Sequence, residues 1–322
     1  MTDVDDRDME SLPLNGIGIS ERFYEEYGKQ MIAEKFPEYE NLIAVGVAGE
    51  GSDCFGYDDA VSRDHDFEAG FCLFIPDVLA PDLEFKLSRA YAKLPDSFLG
   101  VIRAKHSIFG GNRRGVILTG DFYRRFLGRP DVPEDLMEWL SIPEYSLAAA
   151  VNGKIFRDDL GEFTGIREKL LKGYPEDVRL KKIAARAAMM AQSGQYNFSR
   201  CLSHGEPGAA MMALGEFTEQ TLSMIFLLNR RYQPYYKWAF RAGKELPVLA
   251  DIPGRLEQLT IRGLDDPAAI KAEIEAISSD IIVELRRQDL TRGDWDYLEP
   301  HAFEVMGQIR DGNVRNLHVM EG

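Results

Sequence analysis

Several things this 322-residue chain has little of narrow what it can be. It carries three cysteines, Cys54, Cys72 and Cys201, with no two at C-x-x-C spacing. That supports neither a disulfide framework nor a thiolate zinc site, and reduced, buried thiols are the expectation. No stretch approaches the ~20 consecutive apolar residues of a membrane helix. The opening MTDVDDRDMESLP is acidic where a secretory signal would be basic and then apolar, so a cytoplasmic protein away from membranes is expected. Histidine is scarce, and none of His65, His106, His204, His301 and His318 stands at metal-ligand spacing from another, which disfavours a zinc hydrolase. His65 is expected to be structural. Positive charge is also short: 38 Lys and Arg against 53 Asp and Glu leave a net charge of -15. Such a surface repels polyanions and disfavours nucleic acid as a partner, while nucleotides carried with Mg²⁺, small cations and proteins remain open. There is no internal repeat and no low-complexity tract.

What is present is enough for a sizeable core. With 45% apolar and 11% aromatic residues, the chain is long enough for two domains. After an acidic leader over residues 1–19, expected to be disordered, Ser20 is placed to cap a helix whose apolar positions Phe23, Tyr24, Tyr27, Met31, Ile32 and Phe36 fall at helical spacing. Residues 41–49 read as a buried strand, a glycine-rich turn follows, and residues 67–75 read as a second strand. A helix at 81–94, strands near 98–106 and 115–118, helices beginning near Asp121, Glu134 and Pro143, and a short strand at 154–156 continue the mixed pattern. From Pro175 the texture becomes helical, with long periods at about 176–203, 207–230 and 267–288. In the last of these Asp266 is the cap, Pro267 takes the first position, and Ile270, Ile274, Ile277, Ile281 and Leu285 share one face. Met189-Met190 and Met211-Met212 read as core filling. The expected architecture is α+β: a mixed sheet with helices over 20–173, then an all-α bundle over 174–322.

The chemically informative run is Gly49 to Phe67, GEGSDCFGYDDAVSRDHDF, between the first two strands. Residues i and i+2 of a strand share a face, so Asp64 and Asp66 project together. Like charges ~4 Å apart at an effective dielectric of ~20 repel by about 4 kcal/mol, which calls for a cation between them. Mg²⁺, a hard ion that prefers carboxylate, water and phosphate oxygens, fits that demand. The turn at Gly51 and Ser52 offers backbone N–H groups that approach a phosphate closely. Asp58 and Asp59 read as solvated turn residues.

Gly-Ser, about ten residues, then Asp-x-Asp entering a strand resembles the polymerase-beta-type nucleotidyltransferase superfamily, which includes aminoglycoside nucleotidyltransferases and small antitoxin-like members. More closely, GSDCFGYDDAVSRDHDF together with GQYNFSR (194–200) and LLNRRYQPYYKWAFR (227–241) resembles the family labelled DUF4037 over most of the chain. The resemblance implies a nucleotidyltransferase-fold first domain, ATP or another NTP as co-substrate, and one or two Mg²⁺ ions on Asp64 and Asp66. It implies transfer of a nucleoside monophosphate, AMP from ATP being the expected case, to a hydroxyl of a small-molecule or protein acceptor. The family often adds a third carboxylate from a later strand. Asp121 is the candidate for that acid and for a catalytic base, with a helix cap as its other reading, and Asp158 and Asp159 are further sources. In related enzymes the helical domain can supply basic groups to the triphosphate, a role the resemblance gives to Lys237 and Arg230, with pairing to the abundant acids as the other reading of Lys237. Asn197 and Arg200, at i and i+3, and Tyr232 are candidates for the acceptor cleft, with Gln195 nearby, and a hydrogen-bonded bundle interior is the other reading of Asn197 and Arg200. For Arg231 and Arg241 pairing with the abundant acids is the expectation. The alternative is a nucleotide-sensing or partner-binding module that keeps the fold without catalysis. Oligomeric state is left open.

Overall fold

The computed structural model describes residues 15–58, 68–103 and 113–322. Asp59, His65, His106 and the pair Asp64 and Asp66 lie outside the described residues. The chain divides into two compact units: residues 1–132 with 149–171, and residues 133–148 with 172–322.

The first unit is built on a four-stranded mixed sheet. Its strands are β1 (Ala44–Val47), β2 (Cys72–Ile75), β5 (Gly115–Leu118) and β6 (Lys154–Arg157), in the order β5-β2-β1-β6. Between β2 and β5 a small hairpin joins β3 (Ser97–Phe98) to β4 (Val101–Ile102). β1 is antiparallel to β2, with Gly46 opposite Cys72, and antiparallel to β6, with Val47 opposite Lys154. β2 and β5 are parallel, with Cys72 opposite Gly115. One end of the sheet therefore gathers the exit of β1 and the entrances of β2, β5 and β6.

Alternation along β2 explains the two cores. Leu73 and Ile75 join Phe71 and Val45 under the N-terminal helical run, with Ile19, Phe23, Tyr24 and Ile32. Phe74 points the other way and stacks on Phe163 at 4.0 Å, with Phe122 edge-on at 5.2 Å. The N-terminal run comprises helices Gly16–Phe23 and Lys29–Lys35 around a π-turn, Tyr24–Gly28. That turn needs glycine at its end, because a Cβ on Gly28 would lie 2.5 Å from Phe71 Cζ. The first helix begins at Gly16, not at Ser20. Asn15 caps it by accepting from Gly18 N–H, and the Asp58 carboxylate accepts from Gly16 N–H at 2.7 Å. Ser20 is buried inside the helix and Asp58 is a cap rather than a solvated turn residue.

The second unit is helical throughout its described residues. Helix Glu176–Met190 is its axis, packed against Pro207–Leu228 and Leu298–Met306. The expected helix at 267–288 is present as Pro267–Arg287, with Asp266 accepting from Ala269 N–H and its stripe of Ile and Leu fully buried. The expected helix at 176–203 is interrupted by a π-helical stretch, Ala191–Phe198, that contains most of the GQYNFSR run. Phe217 packs so closely there that a Cβ on Gly194 would come within 2.3 Å of its ring. No described helix is long and apolar enough to cross a membrane.

Candidate functional site

The glycine turn sits where β1 ends. Gly49 and Gly51 take φ of 106° and 122°, conformations that favour glycine, and Ser52–Phe55 forms one short helical turn closed by Gly56 in the left-handed region. The segment before β6 clasps this turn: Asn152 accepts from Gly49 N–H at 2.9 Å and donates to Gly49 C=O at 2.6 Å, and Gly153 N–H donates to Cys54 C=O. Gly153 has to be glycine, since a Cβ would lie 1.9 Å from the Val47 carbonyl.

An ion cluster that local pattern reading does not reveal fills the turn. Asp53, 3% exposed, accepts from Arg113 Nη2 at 2.7 Å on one oxygen and from Arg114 Nη2 on the other. Arg113 also donates through Nε and Nη2 to Glu50 C=O, at 3.1 and 2.7 Å. Its guanidinium lies against Gly51 so closely that a Cβ there would be 1.8 Å from Nη2. Arg114 is buried beside the thiols of Cys54 and Cys72, and burial pushes the Cys54 thiol up to about 12 and Cys72 upward too. The Glu50 side chain pairs with Arg125 at 2.5 Å. The one signal in the sequence was Arg113-Arg114 immediately ahead of a strand.

The strand order decides which acids share this end. Chain entering β2 arrives at the Gly51 edge, and so does chain entering β5. Asp121 follows β5 and is at the opposite end. It is not the cap of its helix either: Thr119–Leu127 starts two residues before it, and Asp77 supplies the carboxylate that accepts from Gly120 N–H at 2.8 Å. Asp121 is exposed and pairs with Arg124 at 2.5 Å. Asp158 and Asp159 follow β6 to that same far end. Asp158 accepts from Gly161 and Thr164 at the start of helix Glu162–Leu171, and Asp159 pairs with Arg157. Gly51 and Ser52 are thus not joined by any of these three acids. No group of three or more His, Cys, Asp or Glu among the described residues could hold a metal ion.

The remaining candidates belong to the second unit. Arg230, at φ 54°, pairs with Glu176 at 2.9 Å, alongside buried Arg179. Lys237 is exposed near the start of helix Tyr236–Gly243. Tyr232 meets Tyr174 edge-on at 4.9 Å, and burial raises its hydroxyl pKa. Arg200 lies over the Tyr196 ring at 5.5 Å, and Asn197 is half-buried. Gln195 is an internal brace: it donates to Glu275 and the Asp296 carbonyl and accepts from Leu298 N–H.

Residues 139–239 match the model of DUF4037, a domain of unknown function. The match takes in GQYNFSR and most of 227–241, and does not extend to the Gly49–Phe67 run. No curated protein matches the chain. Among solved structures it is similar to a nucleotidyltransferase-like protein from Exiguobacterium sibiricum 255-15, at 14% identity and a TM-score of 0.37, over 88% of this chain and 81% of that one.

Proposed function

We propose that the protein is a nucleotidyltransferase that moves a nucleoside monophosphate, AMP from ATP, to a hydroxyl of a small-molecule or protein acceptor. The observation that carries this reading is the antiparallel pairing of β1 and β2. It brings the exit of β1, where Gly51 and Ser52 turn, to the same sheet end as the entrance of β2 at Cys72, and in the sequence Asp64 and Asp66 precede that entrance by eight and six residues. Phosphoryl and nucleotidyl transfer depend on positioning and charge stabilisation, and a close-approach backbone turn beside paired carboxylates is suited to both.

The described residues by themselves do not fit a metal ion, because Asp53 is committed to Arg113 and Arg114 and Glu50 to Arg125. The role of Mg²⁺ in this proposal rests on Asp64 and Asp66 alone. In it the chain's own groups orient the nucleotide: the Gly51 and Ser52 backbone faces phosphate oxygens, with Arg113 next to them. Lys237 and Arg230 remain proposed triphosphate ligands, and Asn197, Arg200 and Tyr232 proposed acceptor contacts. The test is calorimetric titration of ATP with Mg²⁺ into the natural protein and into D64N and D66N, with pyrophosphate release measured in parallel. We expect Mg²⁺-dependent binding that both substitutions abolish without change in thermal stability. Unchanged binding in both variants would sink the assignment.

A second reading has its own support: Asp121, Asp158 and Asp159 are all committed at the far end of the sheet. A module that binds nucleotide without a third carboxylate would show Mg²⁺-dependent ATP binding and no pyrophosphate release across a broad acceptor panel.

A further inference from the structure

Within the second unit a cleft of about 330 Å³ opens between the start of helix Glu144–Val151, the middle of Pro207–Leu228 and the tyrosines at the head of Tyr236–Gly243. That volume is at the small end of the ~300–1,000 Å³ range of small-molecule sites. Its one arginine is internally committed. Arg186 donates through Nε to Ser223 Oγ at 2.7 Å, through Nη1 to the Gly322 carbonyl at 2.7 Å, and through Nη2 to Glu144 at 3.1 Å. Ser223 in turn donates to the Glu144 carboxylate at 2.9 Å. This closed triad is framework, with both charges mostly buried.

The groups left over are acceptors and aromatic faces. Gln220 lines the cleft and is 8% exposed; its Nε2 donates to Glu216 at 2.7 Å, and its buried Oε1 has no partner among the described residues. A buried carbonyl left in that state costs about 1–3 kcal/mol, so it gains from any donor that reaches it. Glu219, adjacent and exposed, adds a carboxylate to the same wall. Tyr145 meets Tyr235 edge-on at 5.9 Å, Tyr235 meets Tyr236 at 4.3 Å, and all three rings stay open to solvent. Aromatic faces attract cations through the ring quadrupole, and a nearby carboxylate adds its own Coulomb attraction. An anion would find no uncommitted arginine or lysine in this wall.

We infer that this cleft binds a small molecule carrying a protonated amino group on an apolar body. On binding, the Gln220 amide turns so that Oε1 accepts from the ammonium, Glu219 offsets its charge, and the body lies against Tyr235 and Tyr236. This site stands independently of nucleotide transfer. The test titrates benzylamine and cyclohexylamine into the full chain at 0.15 M salt by calorimetry, with benzyl alcohol as the neutral probe of matching shape. Saturable one-site binding of at least one amine is expected, with benzyl alcohol at least tenfold weaker than benzylamine if the aromatic amine binds, and no binding of the alcohol if only cyclohexylamine does. E219Q and Y236A, both at exposed positions, should each weaken the amine at least fivefold. E38Q, an exposed acid in the first unit, controls for the general pull of an acidic protein on cations and should change nothing. Failure of both amines to bind, equal binding of amine and alcohol, or the same small loss in all three variants would overturn the inference.

Discussion

Replacing Asp53 by Asn tests the ion cluster in the glycine turn directly. The substitution keeps the volume and removes the charge. Arg113 loses little, because it is 19% exposed and holds the Glu50 carbonyl through two further bonds. Arg114 is the sensitive partner: its side chain is 3% exposed, and its other described acceptors are the Arg113 carbonyl and the weak sulfurs of Cys54 and Cys72. Removing one member of a buried pair leaves a desolvated charge behind and costs about 3–5 kcal/mol. At about 2–4 °C per kcal/mol for a domain of this size, the melting transition of the first unit should fall by roughly 6–20 °C.

Urea unfolding followed by circular dichroism, with scanning calorimetry to separate the two units, measures the effect. The paired substitution D53L/R114M provides the second arm. Replacing both charges by apolar groups removes the uncompensated guanidinium, and such replacements are often neutral or better, so the double variant should be more stable than D53N. A D53N protein within about 1 kcal/mol of the parent would refute the reasoning, since it would mean that Arg114 does not depend on this carboxylate.

Two further expectations follow from burial. Cys54 and Cys72 are buried with thiol pKa values pushed up, whereas Cys201 is half-exposed, so a chromogenic disulfide reagent at pH 8 should titrate one thiol per chain quickly and the other two only after unfolding; three equal rates would contradict this. Burial brings the Lys181 amino group down to about 8 while its Nζ donates to the carbonyls of His318, Val319 and Glu321. The unfolded chain keeps that proton to higher pH, so stability should rise from about pH 8 towards pH 10.5, with a slope that K181M removes; identical slopes in the two proteins would refute the assignment.

Elements with a repeating local pattern were legible in the sequence. The strand, glycine turn and strand around Gly51, the stripe from Ile270 to Leu285 and the Asp266 cap all declare themselves through spacing and cap chemistry. The π-helical stretches Tyr24–Gly28 and Ala191–Phe198 did not, because each packs against a distant ring: Phe71 against Gly28 and Phe217 against Gly194. Asn15 displaced Ser20 as the first cap for the same kind of reason, since the helix start is completed by Asp58, some 40 residues on. The cluster of Asp53, Arg113 and Arg114 joins residues 60 and 61 positions apart, and no period or motif encodes such a pairing. The cations Arg179, Lys181 and Lys182 lie buried on the axis helix of the second unit, against the habit of charged residues, each held or desolvated by tertiary neighbours.

Strand direction separates the later acids from the Gly51 edge. Asp77, Asp121, Asp158 and Asp159 all follow strands that run away from the Gly51 edge, and at the far end two helices begin. Helix starts present unpaired N–H groups and favour anions. Asp77 and Asp158 meet that demand, while Asp121 and Asp159 are paired with Arg124 and Arg157. Acids at that end are therefore accounted for by folding alone. At the Gly51 edge the balance is reversed, because β5 enters there with two arginines and Asp53 is drawn in to answer them. Among the described residues, Glu50 and Asp53 are the acids of the turn itself; Glu50 is paired with Arg125, and recruiting Asp53 to a reaction at this edge would strand Arg114 without its carboxylate. The same contact that stabilises the turn thus opposes its use as a third acid.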